Sequence, residues 1–413
     1  MPEIKPFAAL RYDASRVAGD LTGLLAPPYD VMEQSDKDAL IATSTRNVVA
    51  IDLPHVPPKS QGPPETYEQS ARLLREWLND GTLIREPKPA FYLYLQDFEH
   101  GGKHYTRRMF IPRVRLHPFS DGAILAHEET FGGPKEDRLA LMKATQCQLS
   151  PIFGLYTDPA GIVREAFAPA EKTPPHVVGR LEGVENKLWA VTDTGACARV
   201  AELLADRRIY IADGHHRYST ALIYRDWLRA ESGGTLDDDH GANFVMFVLA
   251  SMDDPGCLIL PYHRAISYID IHTVLDAWSP ATEEASNGPA DVIVCAGPTG
   301  AEVPLRFTDR EKLATLEAQE CPAWRKLDYA YLHRYLIDEL LQEAIGSEPE
   351  VSYIKSADAA REAARNKSGV ALLMNATPLS HLRDVSEAGG LMPQKSTYFY
   401  PKLATGLAIN PLT

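Results

Sequence analysis

The segment IYIADGHHRYSTAL, residues 209–222, most constrains how this chain can fold. Its first residues are apolar and favour a β-strand, Gly214 allows a tight turn, and an amphipathic run that includes Ala221 and Tyr224 then favours a helix. The first backbone amides of such a helix, together with the positive end of its dipole, attract anions. The segment therefore predicts a strand, a turn and a helix, with an anion site in front of Gly214.

Three nitrogen-rich side chains occupy the first turn of that predicted helix. Arginine can donate two hydrogen bonds to a phosphate group, and histidine can move a proton near neutral pH. We predict that Gly214, His216 and Arg217 bind phosphate, and that His215 is a candidate general base. Asp213 is a second candidate base. The alternative interpretation is that Asp213 is only the N-cap of the helix and that the histidines only partner it.

Composition and charge restrict the class of protein. The 413 residues are 45% hydrophobic and 24% charged, which is typical of a globular protein long enough for two lobes. A net charge of −14 argues against a nucleic-acid binder, since such proteins neutralise phosphates with a basic face. Five scattered cysteines without a CxxC pair are typical of reduced thiols. No run approaches the ~20 apolar residues of a membrane helix, and no signal sequence is recognisable. We expect a cytoplasmic protein that does not bind membranes.

The first third of the chain contains one candidate catalytic residue. In the motif PPYDVM two prolines would fix a turn that presents the carboxylate of Asp30, which makes it a candidate base. A plain turn is the alternative. The run NVVAID at residues 47–52 predicts a short strand.

A second motif, HEETFGGPKEDRLALMKAT, begins at His127. Lys135 and Arg138 would lie one turn apart near a helix N-terminus, which is a second place for a phosphate. Ahead of them, His127, Glu128 and Glu129 could supply a general base or hold Mg²⁺, because carboxylates are hard oxygen donors. Of these three, Glu128 is our candidate base. The alternative is a solvated helix start with a ladder of surface charges.

The motif MPQKSTYFYPK near the C-terminus combines two lysines, two hydroxyls and three aromatic side chains. It predicts a loop over an anionic ligand, with Lys395, Ser396 and Lys402 contacting phosphate. A terminal strand packed on the core would explain the aromatic residues equally well. We expect two α/β regions, residues 1–265 with the DGHHR motif and residues 266–413 with the KSTYFYPK loop.

These motifs, together with SPIFGLY, resemble the landmarks of a large prokaryotic family called domain of unknown function 1015, and they are spread over nearly the whole chain. The DGHHR unit is also similar to the phosphate-binding box of the ParB and sulfiredoxin superfamily. That superfamily includes nucleotide-hydrolysing partition proteins, a phosphoryl-transferring repair enzyme and free-serine kinases. The resemblance implies an α/β fold with mixed sheets, in which a ParB/sulfiredoxin-like core carries additional α/β elements.

Two departures limit what the second resemblance implies. The GHHR sequence lacks the catalytic cysteine of sulfiredoxins, and the acidic chain lacks a clear DNA-recognition helix. The kinase-like branch remains. We expect a phosphotransferase, a nucleotide-dependent kinase of serine or a similar hydroxy or amino acid, that uses an adenine nucleotide and Mg²⁺.

Several alternatives stay open. A phosphomonoester hydrolase would use the same anion site with water as the acceptor, and a non-catalytic nucleotide sensor would bind a phosphorylated ligand there without turnover. The sequence does not distinguish ATP from ADP or identify the metal ligands, because the adjacent His215 and His216 would diverge by about 100° on a helix. The sequence also leaves open whether the protein forms a homodimer.

Overall fold

The chain folds into two units in the computed structural model, which describes residues 1–128 and 132–413. The first unit comprises Met1–Cys257 and Pro401–Thr413, and the second comprises Leu258–Tyr400. This division differs from the predicted one because the C-terminal segment returns to the first unit, where Asn410 pairs with Gln148 across two short antiparallel strands.

The strands, in chain order, are β1 (Ile4–Lys5), β2 (Leu10–Tyr12), β3 (Leu83–Arg85), β4 (Phe91–His100), β5 (Lys103–Ile111), β6 (Arg113–Arg115), β7 (Ile124–Leu125), β8 (Cys147–Gln148), β9 (Ile152–Tyr156), β10 (Val177–Leu181), β11 (Val184–Val191), β12 (Ile209–Asp213), β13 (Phe244–Ser251), β14 (Leu258–Leu260), β15 (His263–Ile266), β16 (Thr282–Glu284), β17 (Val292–Ala296), β18 (Glu302–Phe307), β19 (Val351–Ile354), β20 (Val370–Met374), β21 (Tyr398–Tyr400) and β22 (Asn410–Pro411).

The α-helices are α1 (Gln34–Thr43), α2 (Val49–Asp52), α3 (Pro64–Asn79), α4 (Gly132–Thr145), α5 (Ile162–Glu171), α6 (Thr194–Leu204), α7 (His215–Glu231), α8 (Ile271–Trp278), α9 (Lys312–Leu316), α10 (Asp328–Ala330), α11 (Gln342–Ile345), α12 (Ala357–Asn366) and α13 (Leu379–Glu387). A π-helical stretch, Tyr331–Leu341, joins α10 to α11, and 3-10 turns occupy Tyr29–Val31, Phe119–Asp121, Gly241–Asn243 and Trp324–Lys326.

A mixed sheet organises the first unit. Its strand order is β10-β11-β4-β5-β13-β9-β12-β7, and β6 joins β13 to β1. The pairs β13/β9 and β12/β7 are parallel, and the other pairs are antiparallel. Phe110 and Phe247 of the sheet share a buried apolar cluster with Phe167 of α5 and Tyr218 of α7. Burial of these rings is a main source of stability.

The second unit contains a six-stranded antiparallel sheet in the order β16-β18-β17-β20-β15-β19. Ala360 and Ala364 of α12 pack in one apolar cluster with Cys295 of β17 and Ala371 of β20. Small side chains on the helix let it lie close to the sheet. Both units combine helices with sheets, so the predicted α/β fold class is confirmed.

Residues 49–52 form the short helix α2, so the strand predicted over residues 47–52 is wrong. Asn47 is fully buried, and its Oδ1 accepts a hydrogen bond of 2.9 Å from the amide of Val49, the first residue of α2. Its Nδ2 donates to the carbonyls of Gly23 and Leu25, each at 2.9 Å. Tertiary hydrogen bonds of this kind override the β preference of a short β-branched run.

None of the described helices combines the length and the apolar character that crossing a membrane requires.

Candidate functional site

The predicted strand, turn and helix around Gly214 are confirmed. The strand β12 is buried at Ile209–Ala212, and α7 starts immediately after Gly214, whose φ is +99°. A Cβ atom at Gly214 would lie 2.9 Å from Nε and 3.0 Å from Cζ of Arg217. Only glycine allows both this backbone turn and the approach of the guanidinium group. Among the described residues, no side chain caps the helix.

Asp213 does not cap α7, contrary to the alternative considered above. Its Oδ2 accepts a hydrogen bond of 2.5 Å from Nζ of Lys402, and its Oδ1 accepts one of 3.1 Å from Nη2 of Arg217. Burial by itself would raise the pKa of Asp213, but the Lys402 ammonium and the Arg217 guanidinium hold that pKa well below its usual range. Asp213 therefore stays ionised and fixes two cations beside Gly214.

We expect Asp213→Asn to lower the free energy of unfolding by about 1–3 kcal/mol at pH 7. The folded-state pKa lies below the ordinary value of 3.8, so the stabilisation by Asp213 is complete above pH 3.8 and is lost as the pH falls below it. Chemical denaturation of both proteins at pH 7 and at about pH 3 measures this effect. The difference between the two proteins should shrink at the lower pH, and an equal difference at both would contradict the ion pairs.

The PPYD turn contributes an aromatic ring to the same place. The ring centroid of Tyr29 lies 4.1 Å from Cζ of Arg138 and 5.9 Å from Cζ of Arg217. Arg217 also donates from Nη1 to the carbonyl oxygen of Pro151, just before β9. Asp30 follows Tyr29 and is exposed. The structure thus brings the first predicted motif to the DGHHR motif.

Arg138 lies in the interior rather than on a surface ladder of charges. Its side chain is 6% exposed, and Nη2 lies 2.5 Å from Oδ2 of Asp137. Nη1 donates to the carbonyl of Asp52 at 2.6 Å. Asp137 in turn accepts a hydrogen bond of 2.8 Å from the Tyr67 hydroxyl and lies 2.6 Å from Nε2 of His55. This network holds Arg138 against the Tyr29 ring.

Helix α4 packs on α7 and carries the other predicted cation of its motif. The Thr220 hydroxyl of α7 donates a long hydrogen bond, 3.5 Å, to the carbonyl oxygen of Lys135. The Lys135 side chain is half-buried. Glu129, a predicted metal or base candidate, lies outside the described residues.

Two histidines and one carboxylate adjoin the start of α7. The amide of His127 donates to Nε2 of His215 at 3.3 Å, and the two rings meet edge to face with centroids 4.7 Å apart. Nδ1 of His127 lies 2.7 Å from the carbonyl of Ile211 and donates to it. Because Nε2 of His215 accepts, the neutral ring carries its proton on Nδ1, which lies 4.0 Å from Oε2 of Glu128. His216, the next residue of α7, is half-buried.

Both rings are neutral at pH 7. Burial lowers the pKa of His127 to about 4. Burial also lowers the pKa of His215 well below its usual value, and the neighbouring His127 adds to the effect. A neutral His215 ring keeps its Nδ1 proton next to Glu128 and needs to lose no proton before it can accept another.

We expect the His127 ring to titrate at about pH 4 in an NMR experiment on the imidazole resonances, assigned with His127→Gln. The folded-state pKa lies below the ordinary value of 6.5, so unfolded chains bind this proton first. The contribution of His127 to stability is therefore complete above pH 6.5 and is lost as the pH falls towards 4. A midpoint near pH 6.5 would contradict the buried geometry.

The predicted C-terminal loop is divided between the two units. Lys402 belongs to the first unit and contacts Asp213. Lys395 and Ser396 belong to the second unit. There the Ser396 hydroxyl donates to the carbonyl of Pro393 at 2.5 Å, and Lys395 has a left-handed φ of +56°. Within its own unit Ser396 is therefore buried and hydrogen-bonded to the backbone.

The sequence did not indicate the residues that contact Arg138 and Asp137 and hold them in place, which are Tyr29, Asp52 and His55. Tyr29 belongs to the PPYD motif, and its aromatic ring was the one feature from which a contact with an arginine could have been predicted. Asp52 and His55 lie in segments without such a pattern, and their roles come only from tertiary contacts with Arg138 and Asp137. Among the described residues, no group of three or more His, Cys, Asp or Glu side chains is arranged to hold a metal ion.

Comparisons with known proteins give one family and several distant structures. A family model described as "Protein of unknown function (DUF1015)" matches residues 4–330. No curated protein shows significant sequence similarity to the chain.

Solved structures with a similar arrangement include SbnI with a C-terminal truncation from Staphylococcus aureus, at 13% identity and a TM-score of 0.36, covering 73% of this chain and 87% of that one. They also include a mutant of a free serine kinase in complex with ADP, at 11% identity and a TM-score of 0.33, covering 69% and 90%. Free serine kinase in complex with AMP gives 11% identity and a TM-score of 0.31, covering 69% and 89%. Similarity at these TM-scores carries no argument about activity.

Proposed function

Because the chain belongs to the DUF1015 family, whose function is unknown, we propose its activity from the geometry around Gly214. We propose a small-molecule phosphotransferase. It binds the phosphates of an adenine nucleotide at the start of α7 and transfers a phosphoryl group to the hydroxyl of a small amino or hydroxy acid such as serine. The choice of adenine nucleotide and serine follows the motif resemblance, whereas the phosphate site follows the geometry.

One observation carries the proposal. The 17-residue helix α7 starts directly after a glycine at φ +99°, and the guanidinium of Arg217 folds back over that glycine. Helix N-termini of this kind bind phosphate because backbone amides and the helix dipole point at the ligand. Arg217 adds a group that can donate two parallel hydrogen bonds to phosphate oxygens.

The surrounding charges suit a phosphoryl group that gains charge along the reaction. Asp213 holds Arg217 and Lys402 close together on its two oxygens. Two fixed cations can stabilise a transferring phosphoryl group without reorganising at the moment of transfer. Asp213 is thus a positioning residue in this proposal rather than the base, since the two cations keep its basicity low. Asp30, exposed next to Tyr29, is left to hold the Mg²⁺ of the nucleotide.

Glu128 is the base in this proposal. It is partly exposed, at 37% of its side chain, and its carboxylate faces Nδ1 of buried His215. A carboxylate at the edge of a buried site can reach the acceptor hydroxyl, and the neutral His215 ring lies 4.0 Å away on its buried side. The side chains of His215 and His127 thus lie beside Glu128, and in this proposal His215 meets the phosphates only through its backbone amide.

Mg²⁺ fits the site only as a nucleotide-bound ion. Nucleotide-bound Mg²⁺ takes most of its ligands from phosphate oxygens and water and needs one or two protein carboxylates. Asp30 is the exposed carboxylate that would meet it, whereas Glu128 serves as the base. When bound, the ion supplies charge neutralisation on the phosphates.

The reaction balances without a further reagent. The acceptor oxygen forms a bond to the terminal phosphorus of the nucleotide while the bond from that phosphorus to the bridging oxygen breaks. The hydroxyl proton passes to Glu128. The nucleotide leaves with one phosphoryl group fewer, its bridging oxygen carrying the released charge.

A direct assay tests this function. Purified protein is incubated with serine, Mg²⁺ and either ATP or ADP, and phosphoserine is followed by ³¹P NMR. We expect phosphoserine to accumulate. We expect Glu128→Gln to lower kcat by about 100-fold or more, with little change in nucleotide affinity, because only proton transfer is lost. Glu136→Gln, an exposed change on α4, is the matched control and should retain wild-type kcat.

Three other outcomes would contradict the proposed transfer. Phosphate release that does not depend on serine would indicate a hydrolase. Nucleotide binding without any product from serine or related hydroxy acids would indicate a binding protein. Full activity of Glu128→Gln would remove Glu128 from the role of base.

A further inference from the structure

A cavity lies at the other end of β9 from Asp213. Phe153 of β9 pairs with Asp213, whereas Tyr156, at the carboxyl end of β9, lines the cavity. The residues from 153 to 156 span about 10 Å of strand. The parallel strand β13 ends beside it at Ser251. Carboxyl ends of adjacent parallel strands are common places for ligand crevices.

The floor of the cavity is apolar. The cavity has a volume of about 230 Å³. Its floor is formed by Leu93, Phe110, Tyr156 and Phe167. The ring centroids of Phe110 and Phe167 lie 5.1 Å apart, so the floor is a packed aromatic surface. A cavity of this size and character suits a single apolar side chain of a small ligand.

Buried Asp158 and half-buried Asp254 at the rim both accept hydrogen bonds from backbone amides, and Asp158 also pairs with Arg207 at 3.0 Å. Asp158 accepts from the amides of Ile162 and Val163 at 3.2 and 3.0 Å, and so caps α5. Asp254 accepts from the amides of Gly256 and Arg108 at 2.8 and 3.3 Å. Because their oxygens are already hydrogen-bonded, these two carboxylates stabilise the rim and are not assigned to ligand binding.

Groups of both signs remain on the rim for recognition. Arg164, in the first turn of α5, is exposed and makes no hydrogen bond or ion pair with any residue that the structure describes. Glu171 is partly exposed, and its Oε2 lies 3.3 Å from Nε of Arg108. Asp253 also lines the cavity and is exposed; its Oδ2 accepts a hydrogen bond of 2.8 Å from the amide of Asp158, so Oδ1 is the oxygen that remains for a ligand. A positive and a negative edge above an apolar floor match a zwitterion with an apolar tail.

We propose that this cavity binds a free α-amino acid with a large apolar side chain. The side chain occupies the aromatic floor, Arg164 binds the carboxylate, and Glu171 and Asp253 face the ammonium group. This site is separate from the one around Gly214 and does not depend on the phosphotransferase function.

Calorimetric titration of the full chain with four probes tests the site. L-phenylalanine carries all three recognised features, phenylacetate lacks the ammonium, phenethylamine lacks the carboxylate, and L-serine lacks the apolar side chain. We expect saturable binding of L-phenylalanine and at least about tenfold weaker binding of the other three probes, because each loses one recognised group. Arg164→Gln should weaken L-phenylalanine binding at least about tenfold.

Arg199→Gln is the matched control, since Arg199 is an exposed arginine of α6 that pairs with Glu202. It should leave L-phenylalanine binding unchanged, and Arg164→Gln should leave nucleotide binding unchanged. Absence of saturable L-phenylalanine binding up to ~10 mM would overturn the proposal. So would equal binding of phenylacetate, which would mean that the carboxylate alone is recognised, or unchanged binding in Arg164→Gln.

Discussion

Gly214→Ala is expected to weaken nucleotide binding at least about tenfold, which corresponds to ~1.4 kcal/mol. The backbone at position 214 has φ +99°, a conformation that costs a residue with a Cβ about 1–2 kcal/mol. The new methyl group would also lie 2.9 Å from Nε of Arg217 and displace its guanidinium. Calorimetry with ADP and ATP measures the change in affinity, and thermal unfolding measures the cost in stability.

Gly161→Ala separates these two effects. Gly161 is also a left-handed residue at the start of a helix, with φ +69°, but a Cβ there meets no atom within 4 Å. We expect Gly161→Ala to lose only the backbone part of this stability, about 1–2 kcal/mol, and to retain wild-type nucleotide affinity. Equal affinity in both alanine variants would mean that the start of α7 does not bind the nucleotide.

Arg217→Ala is expected to lower nucleotide affinity by about tenfold to 150-fold, since a hydrogen bond to a charged group contributes ~1.5–3 kcal/mol. The change should also cost about 1–3 kcal/mol of stability, because the Pro151 carbonyl and one oxygen of Asp213 lose a hydrogen-bond donor. Lys402 still holds the other oxygen of Asp213, so the protein should fold. Calorimetry and chemical denaturation measure the two effects.

Arg225→Ala is the matched control for this variant. Arg225 lies on the same helix, is equally buried, and donates to the carbonyl of Leu116 at 3.1 Å and to Asp226 at 2.9 Å. We expect it to lose stability by a similar amount and to bind nucleotide normally. If both variants lost affinity in parallel, the effect of Arg217→Ala would be one of stability and not of phosphate recognition.

The local part of the site could be predicted from the sequence. The strand, the glycine turn and the helix around Gly214 follow from short-range patterns, because turn chemistry and helical periodicity act over a few residues. The PPYD and HEETFGGP motifs were chosen as candidates, and the structure places Tyr29, Glu128 and Arg138 beside α7 or its neighbours. Charged residues are seldom fully buried unless they are paired, which is why the charged residues of these motifs were chosen.

The long-range part could not be predicted. Lys402 was expected to bind phosphate, but its contact with Asp213 joins residues 189 positions apart and depends on the return of Pro401–Thr413 to the first unit. Asp52 was placed in a strand because nothing local shows that buried Asn47 anchors a helical turn. Such contacts are set by tertiary packing, which no short sequence pattern encodes.

Selective ¹⁵N labelling of glycine and histidine tests the central claim most directly. The backbone amide resonances of Gly214, His215 and His216 are followed while ADP or ATP is added with Mg²⁺. We predict that these amides show the largest shifts, saturating with the affinity measured by calorimetry, and that the shifts disappear in Arg217→Ala. Saturable nucleotide binding that leaves these three amides unchanged would contradict a phosphate site at the start of α7.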